Sequence, residues 1–191
     1  MMVKRLCLQG FGLALTLAMI TAAADDRMIS RVIAKEMTAA QAALAGGKWD
    51  DALTSLAAAE AKTPLTSFDR KTIFEFEGFA HIKRGDLKLA QTDYENELAT
   101  CEADAADTQT SMHALFQLAA GNSDYAKAAV YGQYIVDSGA PTAADLAVLS
   151  QVYFKLDDCA DASAYADKAV SQSGGQQTSS VIAAAAKVRT Y

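Results

Sequence analysis

The chain has 191 residues, 51% of them apolar, and carries 17 basic against 23 acidic side chains for a net charge of −6. That much apolar chain is enough for a sizeable core. An acid excess without basic clusters excludes nucleic acid and anionic membrane surfaces as its targets. Three cysteines in such a length exclude a disulfide framework as the source of the fold.

The first segment reads as a leader. Lys4 and Arg5 precede an apolar run over residues 6–20, broken only by Gln9 and Thr16, and Ala22, Ala23 and Ala24 follow. A basic start, a short apolar stretch and small residues at −3 and −1 are the three parts of a secretory signal peptide. About 15 apolar residues is short for a bilayer span. The reading is therefore a signal peptide over residues 1–24, cut after Ala24, and a periplasmic or otherwise secreted product over residues 25–191. Cys7 sits too early in the run to be a lipidation site after that cut. Removal of Lys4 and Arg5 leaves 15 basic residues against the same 23 acidic ones, a net charge of −8. No long apolar stretch follows residue 24, so no membrane insertion is expected of the mature chain. Cys101 and Cys159 remain; an oxidising compartment permits their pairing, but the simpler expectation is two small buried or half-buried side chains.

Beyond the leader, every periodic segment is helical. Trp49, Ala52, Leu53, Leu56 and Ala59 mark one apolar helix face, and Leu146, Leu149, Val152, Tyr153 and Leu156 another. Pro64 and Pro141 fall between candidate helices, where a missing donor does no harm. Four short turns look alike: Gly47 to Ala52, Gly85 to Ala90, Asn122 to Ala128 and Asp157 to Ala162. Each ends one helical pattern and opens the next. The alanines closing them, Ala52, Ala90, Ala128 and Ala162, are 38, 38 and 34 residues apart. Two helices per period of this size predict a helical solenoid.

On these residues the chain resembles the tetratricopeptide repeat family, over units of about residues 33–66, 71–104, 109–142 and 143–176. In the fourth unit Leu146, Leu149, Ser150 and Tyr153 match the packing positions of the motif's first helix, and Ala162, Ala166 and Ala169 those of the second. The third matches at Met112, Leu115, Ala119, Ala128 and Ile135, but places Phe116 where a small residue is usual. The second matches at Phe74, Gly78, Ala90 and Tyr94, but places Glu77 and His81 at positions usually apolar. The first matches at Ala39, Ala40, Ala43, Ala52, Leu56, Ala59 and Pro64. Ala40, Gly78 and Ser150 are read as the small residues that let paired helices approach. A last helix over residues 178–190, with Val181, Ile182, Ala185, Ala186 and Val188 on one face, reads as the first half of a further unit. The resemblance implies an all-α, right-handed α-α superhelix of about four hairpins plus that C-terminal helix. More narrowly, the chain resembles the N-terminal part of secreted, proteobacterial-type tetratricopeptide proteins, on the segments around Thr66 to Asp69, Phe76 to Phe79 and Gly174 to Gln177.

The family's usual inward positions, carried onto this chain, are Glu75, Phe79 and Lys83 in the second unit. They are Thr110, His113 and Gln117 in the third, and Ala147, Gln151 and Lys155 in the fourth. Residues four apart on a helix share a face, and a polar face with an aromatic suits a peptide or protein segment. The expected function is an exported protein–protein interaction scaffold without catalysis. One alternative is a structural protein that self-associates through Val181, Ile182 and Val188. A remote one is a hydrolase with a site near His113. Trp49 is expected to anchor the core rather than stack on a ligand, and Tyr131 and Tyr134 to mark the opposite surface. No cofactor or metal is expected: His81 and His113 stand in different units, and no His-x-x-x-His, Cys-x-x-Cys or phosphate loop occurs. Glu102, Asp104, Asp107 and Asp124 do not alternate as calcium ligands do.

Overall fold

A computed structural model describes residues 28–139 and 141–173. The leader, Cys7 and the helix expected over residues 178–190 lie outside the described residues, and with them the surface invoked for self-association. Among the described residues the chain is entirely helical. The helices are α1 (Ala34–Ala45), α2 (Trp49–Glu60), α3 (Ser67–Arg84), α4 (Leu87–Ala99), α5 (Ala105–Gly121), α6 (Tyr125–Asp137), α7 (Ala143–Lys155) and α8 (Cys159–Gln172). They pair as hairpins α1–α2, α3–α4, α5–α6 and α7–α8. The chain divides after Asp104 into two compact units of two hairpins each. In the first, α2 also packs on α3; in the second, α6 also packs on α7.

The repeat is written in the backbone. Each hairpin turn has one residue in the left-handed region: Gly47 at φ 69°, Gly85 at 93°, Ser123 at 62° and Asp157 at 60°. These four positions share the 38-, 38- and 34-residue spacing of the alanines. Glycine suits the first two; Ser123 and Asp157 hold the same conformation against a Cβ. The unequal spacing has a simple cause. α3 and α5 have 18 and 17 residues, whereas α7 has 13. The extra four or five residues are about one helical turn, added ahead of the repeat unit.

Helix starts follow local chemistry. Thr66 and Thr142, two residues and one residue after a proline, form capping boxes with Asp69 and Asp145. Asp124 and Asp158 accept from the amides of Lys127 and Asp161 and so cap α6 and α8. Asp69 is fully buried and also accepts from the Ser30 amide at 2.8 Å. Burial pushes its carboxyl up, but the bonds from Ser30 and Thr66 outweigh that and hold it below the usual range.

In two hairpins a glycine faces a ring 16 residues away on the other helix: Gly78 against Tyr94, and Gly132 against Phe116. A Cβ on Gly78 would stand 2.9 Å from the Tyr94 ring, and one on Gly132 2.8 Å from the Phe116 ring and 2.6 Å from Leu149. Phe116, out of place against the motif, is therefore accommodated by a glycine on the facing helix. The large and small residues have changed sides. In the fourth hairpin the Ser150 hydroxyl donates to the Ala162 carbonyl at 2.7 Å, which satisfies a buried group at the close approach.

The interiors differ in kind. In the second unit Phe116, Ile135, Leu146, Leu149, Val152 and Tyr165 belong to one buried apolar cluster. In the first, Ile33, Met37, Leu56 and Ile73 form the cluster around α1 and α2. The α3–α4 pair adds buried Lys71, Gln91, Asp93 and Glu97. Lys71 reaches Glu75 at 2.8 Å and Glu97 at 4.0 Å.

Both cysteines correct the expectation of burial. Cys101 and Cys159 are exposed, because each lies where a helix ends or begins, and Cys159 is a free thiol.

Candidate interaction surface

α3 carries the three inward positions of the second hairpin at one-turn intervals. Phe79 is 41% exposed, a large apolar ring that the core does not claim. It is held all the same. Trp49, the first residue of α2, meets it edge to face at 6.3 Å between centroids and 77° between planes. Lys83 places its ammonium 5.3 Å from the centroid of the same ring. Both contacts are attractive, since a ring edge and a cation each meet the negative ring face. Arg84 then ties the two helices together, 3.1 Å from Asp50 of α2 and 3.0 Å from Asp86. The result is an aromatic ledge across α2 and α3 with one cation above it. Glu75 is half-buried and turned to Lys71.

Trp49 thus departs from its expected role. It is half-buried and stands outside both buried clusters, packing against an exposed ring. It opens α2, where the side chain reaches over the neighbouring helix rather than into its own hairpin.

In the second unit Gln117, Gln151 and Lys155 are exposed. His113 is half-buried, with Gln109 Nε2 at 3.0 Å from its Nε2 and Asp145 Oδ1 at 3.6 Å from its Nδ1. Each ring nitrogen of His113 thus has one polar neighbour, an amide on one side and a carboxylate on the other. The other oxygen of Asp145 is committed to the Thr142 cap. Tyr131 and Tyr134, expected to mark the opposite surface, are half-buried. Tyr165 is buried against Tyr153 in a stack 5.4 Å apart, and its hydroxyl donates to Gln133 at 2.7 Å.

The most unusual chemistry lies behind the ledge. His81 Nδ1 is 2.6 Å from Asp93 Oδ2, both largely buried between α3 and α4. One turn earlier Glu77 is half-buried and, among the described residues, makes no hydrogen bond or ion pair. Burial, then the charges of Glu60 and Asp93, push its carboxyl up to about 7. Asp93 is also raised: burial dominates, with Glu60 adding to it and His81 opposing. Tyr94 is pushed up to about 12 by burial and by Glu97, Glu75 and Asp93. Glu77 and His81 were visible in the sequence as polar intrusions at packing positions, but their partners were not. Among the described residues, no group of three His, Cys, Asp or Glu could hold a metal ion, and no helix is long and apolar enough to cross a membrane.

No protein-family model matches the sequence, and no curated protein matches it. Among solved structures, a tetratricopeptide repeat protein from Parabacteroides merdae is similar at 12% sequence identity and a TM-score of 0.33, with 84% of this chain and 87% of that chain covered. At that TM-score the likeness supports no inference. The repeat rests on the periodicity within the chain itself.

Proposed function

We propose that this protein is an exported scaffold that holds a peptide or protein segment on the first-helix faces of its hairpins. Glu75, Phe79 and Lys83 form the contact surface of the first unit; His113, Gln117, Gln151 and Lys155 form that of the second. The observation that carries this reading is Phe79, an exposed ring fixed in place by Trp49 and Lys83. A rigid aromatic with a polar surround is the usual anchor of a protein contact, because it buries a large area at little entropic cost. The export half of the proposal rests on the basic, apolar and small-residue order of residues 1–24.

A photo-crosslinking side chain placed at position 79 or 117, in the envelope of the source cell, tests the surface. The expected result is a common partner protein, bound at least tenfold more weakly by Phe79→Ala while the thermal midpoint of the free protein changes little. Partners bound equally well by Phe79→Ala and Gln117→Ala contradict it.

A further inference from the structure

We infer that the segment held against α3 is amphipathic and carries charges of both signs. It sets a large apolar side chain on the Phe79 ring, an acidic side chain beside Lys83 and a basic one beside Glu75. This rests on the reading of Phe79 as the anchor of a protein contact, and adds to it the chemistry of the partner.

A stripe along α3 carries the argument. Lys71, Glu75, Phe79 and Lys83 follow one another four residues apart on that helix, so they share a face, one turn after the next. At about 1.5 Å of rise per residue, Glu75 and Lys83 stand about 12 Å apart along the axis, with the ring between them. Both charges are held. The Lys83 ammonium lies 5.3 Å from the Phe79 centroid. Among the described residues it has no carboxylate partner, whereas its neighbour Arg84 is tied to Asp50 and Asp86. The Glu75 side chain is 43% exposed, and its Oε2 accepts from the buried Lys71 ammonium at 2.8 Å. Lys71 also lies 4.0 Å from Glu97, so one ammonium is divided between two carboxylates.

This pattern selects against simpler partners. A wholly acidic segment is repelled by the net charge of −6 on the chain, and a wholly basic one by Lys83 at the ring. An uncharged apolar segment covers Phe79 but strips water from the Lys83 ammonium and the Glu75 carboxylate without replacing it, which opposes the gain from the ring. One charge of each sign satisfies both ends. A given segment is then held one way round, because reversal sets like charges together at both. The ring itself is braced by Trp49 at 6.3 Å between centroids, so little order has to be imposed on it at binding. About nine residues of helix or about four of extended chain span the distance, so a short linear segment suffices.

Random dodecapeptides displayed on phage and selected on the full chain supply the probe. Those retained by the wild type and lost on Phe79→Ala are expected to carry a large apolar residue flanked by one acidic and one basic residue. Replacing the acidic residue of such a peptide by its amide should weaken binding to the wild type by about threefold, the size of an exposed ion pair. Lys83→Ala, a change at an exposed position, should weaken the unaltered peptide by the same factor. The two changes together should weaken it no further, as for two members of one contact. Glu75→Gln, which keeps an oxygen for Lys71, should couple in the same way to the basic residue of the peptide. Phe79-dependent peptides without this charge pattern overturn the proposal while leaving the Phe79 anchor in place. So do losses that multiply when Lys83→Ala meets the amide-substituted peptide. Retention of no Phe79-dependent peptide overturns both.

Discussion

The second and fourth hairpins are built on one plan and filled with different material. α7 and α8 close over Leu146, Leu149, Val152 and Tyr165, with Ser150 the polar residue at the crossing and its hydroxyl bonded to the Ala162 carbonyl. α3 and α4 close with Gly78, at the position of Ser150, against the Tyr94 ring, and on the same pair of helices lie Lys71, Asp93 and Glu97, all buried. What the two hairpins share is a small residue at the crossing, Ser150 in one and Gly78 in the other, rather than hydrophobicity. A small residue lets two helices approach closely, and the rest of the interface can be apolar or ionic. Burial in this second hairpin also pushes the Glu77 carboxyl up to about 7, so its stability is expected to fall as pH rises through that value.

That contrast can be broken from either side. The largest effect is expected at the apolar end. Phe116→Ala removes a fully buried ring facing Gly132, where the small partner cannot fill the space, and should cost about 3–5 kcal/mol. Chemical denaturation measures it, and a loss under about 1 kcal/mol would show that the hairpin does not depend on the exchange of large and small residues. Next comes Lys71→Met, expected to destabilise by about 3 kcal/mol because Glu97, which is buried, and Glu75, which is half-buried, lose the ammonium at 4.0 Å and 2.8 Å. Adding Glu97→Leu to it should recover much of that loss. If the double variant is no more stable than the single one, the charges are not what fills this interior.

Gly132→Ala sharpens the size argument. Helix propensity favours the alanine by about 1 kcal/mol, yet its Cβ meets Phe116 and Leu149, both buried and unable to retreat. A net loss of about 1 kcal/mol is expected, since overpacking typically costs more than propensity returns. A stabilised variant would contradict the close approach. The smallest effect is at the turn: Ser123→Gly relieves a left-handed serine and should gain about 0.5 kcal/mol. Thermal unfolding of both variants, measured side by side, gives the two signs.

Much of this fold is legible in the sequence, for stated reasons. Turn chemistry and helical periodicity place Gly47, Gly85, Ser123 and Asp157 in register, since a left-handed turn residue and a following cap are local requirements. Gly78, Ala40 and Ser150 could be recognised as close-approach residues on their own helices. The compensation of Phe116 by Gly132 could not be read by motif position alone, because it requires comparing two positions 16 apart rather than each with its usual occupant. The candidate surface was half legible. Phe79 and Lys83 follow from the inward positions that the family resemblance implies, whereas Trp49 joins them only through the packing of α2 on α3. Least legible was the setting of Glu77, whose carboxyl is pushed up by burial and then by the charges of Glu60 and Asp93 on two other helices.

Amide hydrogen exchange of the full chain at about pH 6 and about pH 8, corrected for the intrinsic pH dependence of exchange, tests the contrast most directly. The account predicts that protection along α3 and α4 falls at the higher pH while α7 and α8 keep theirs, and that Glu77→Gln removes the fall. Equal changes in both regions, or a fall in α3 and α4 that persists in Glu77→Gln, would contradict it.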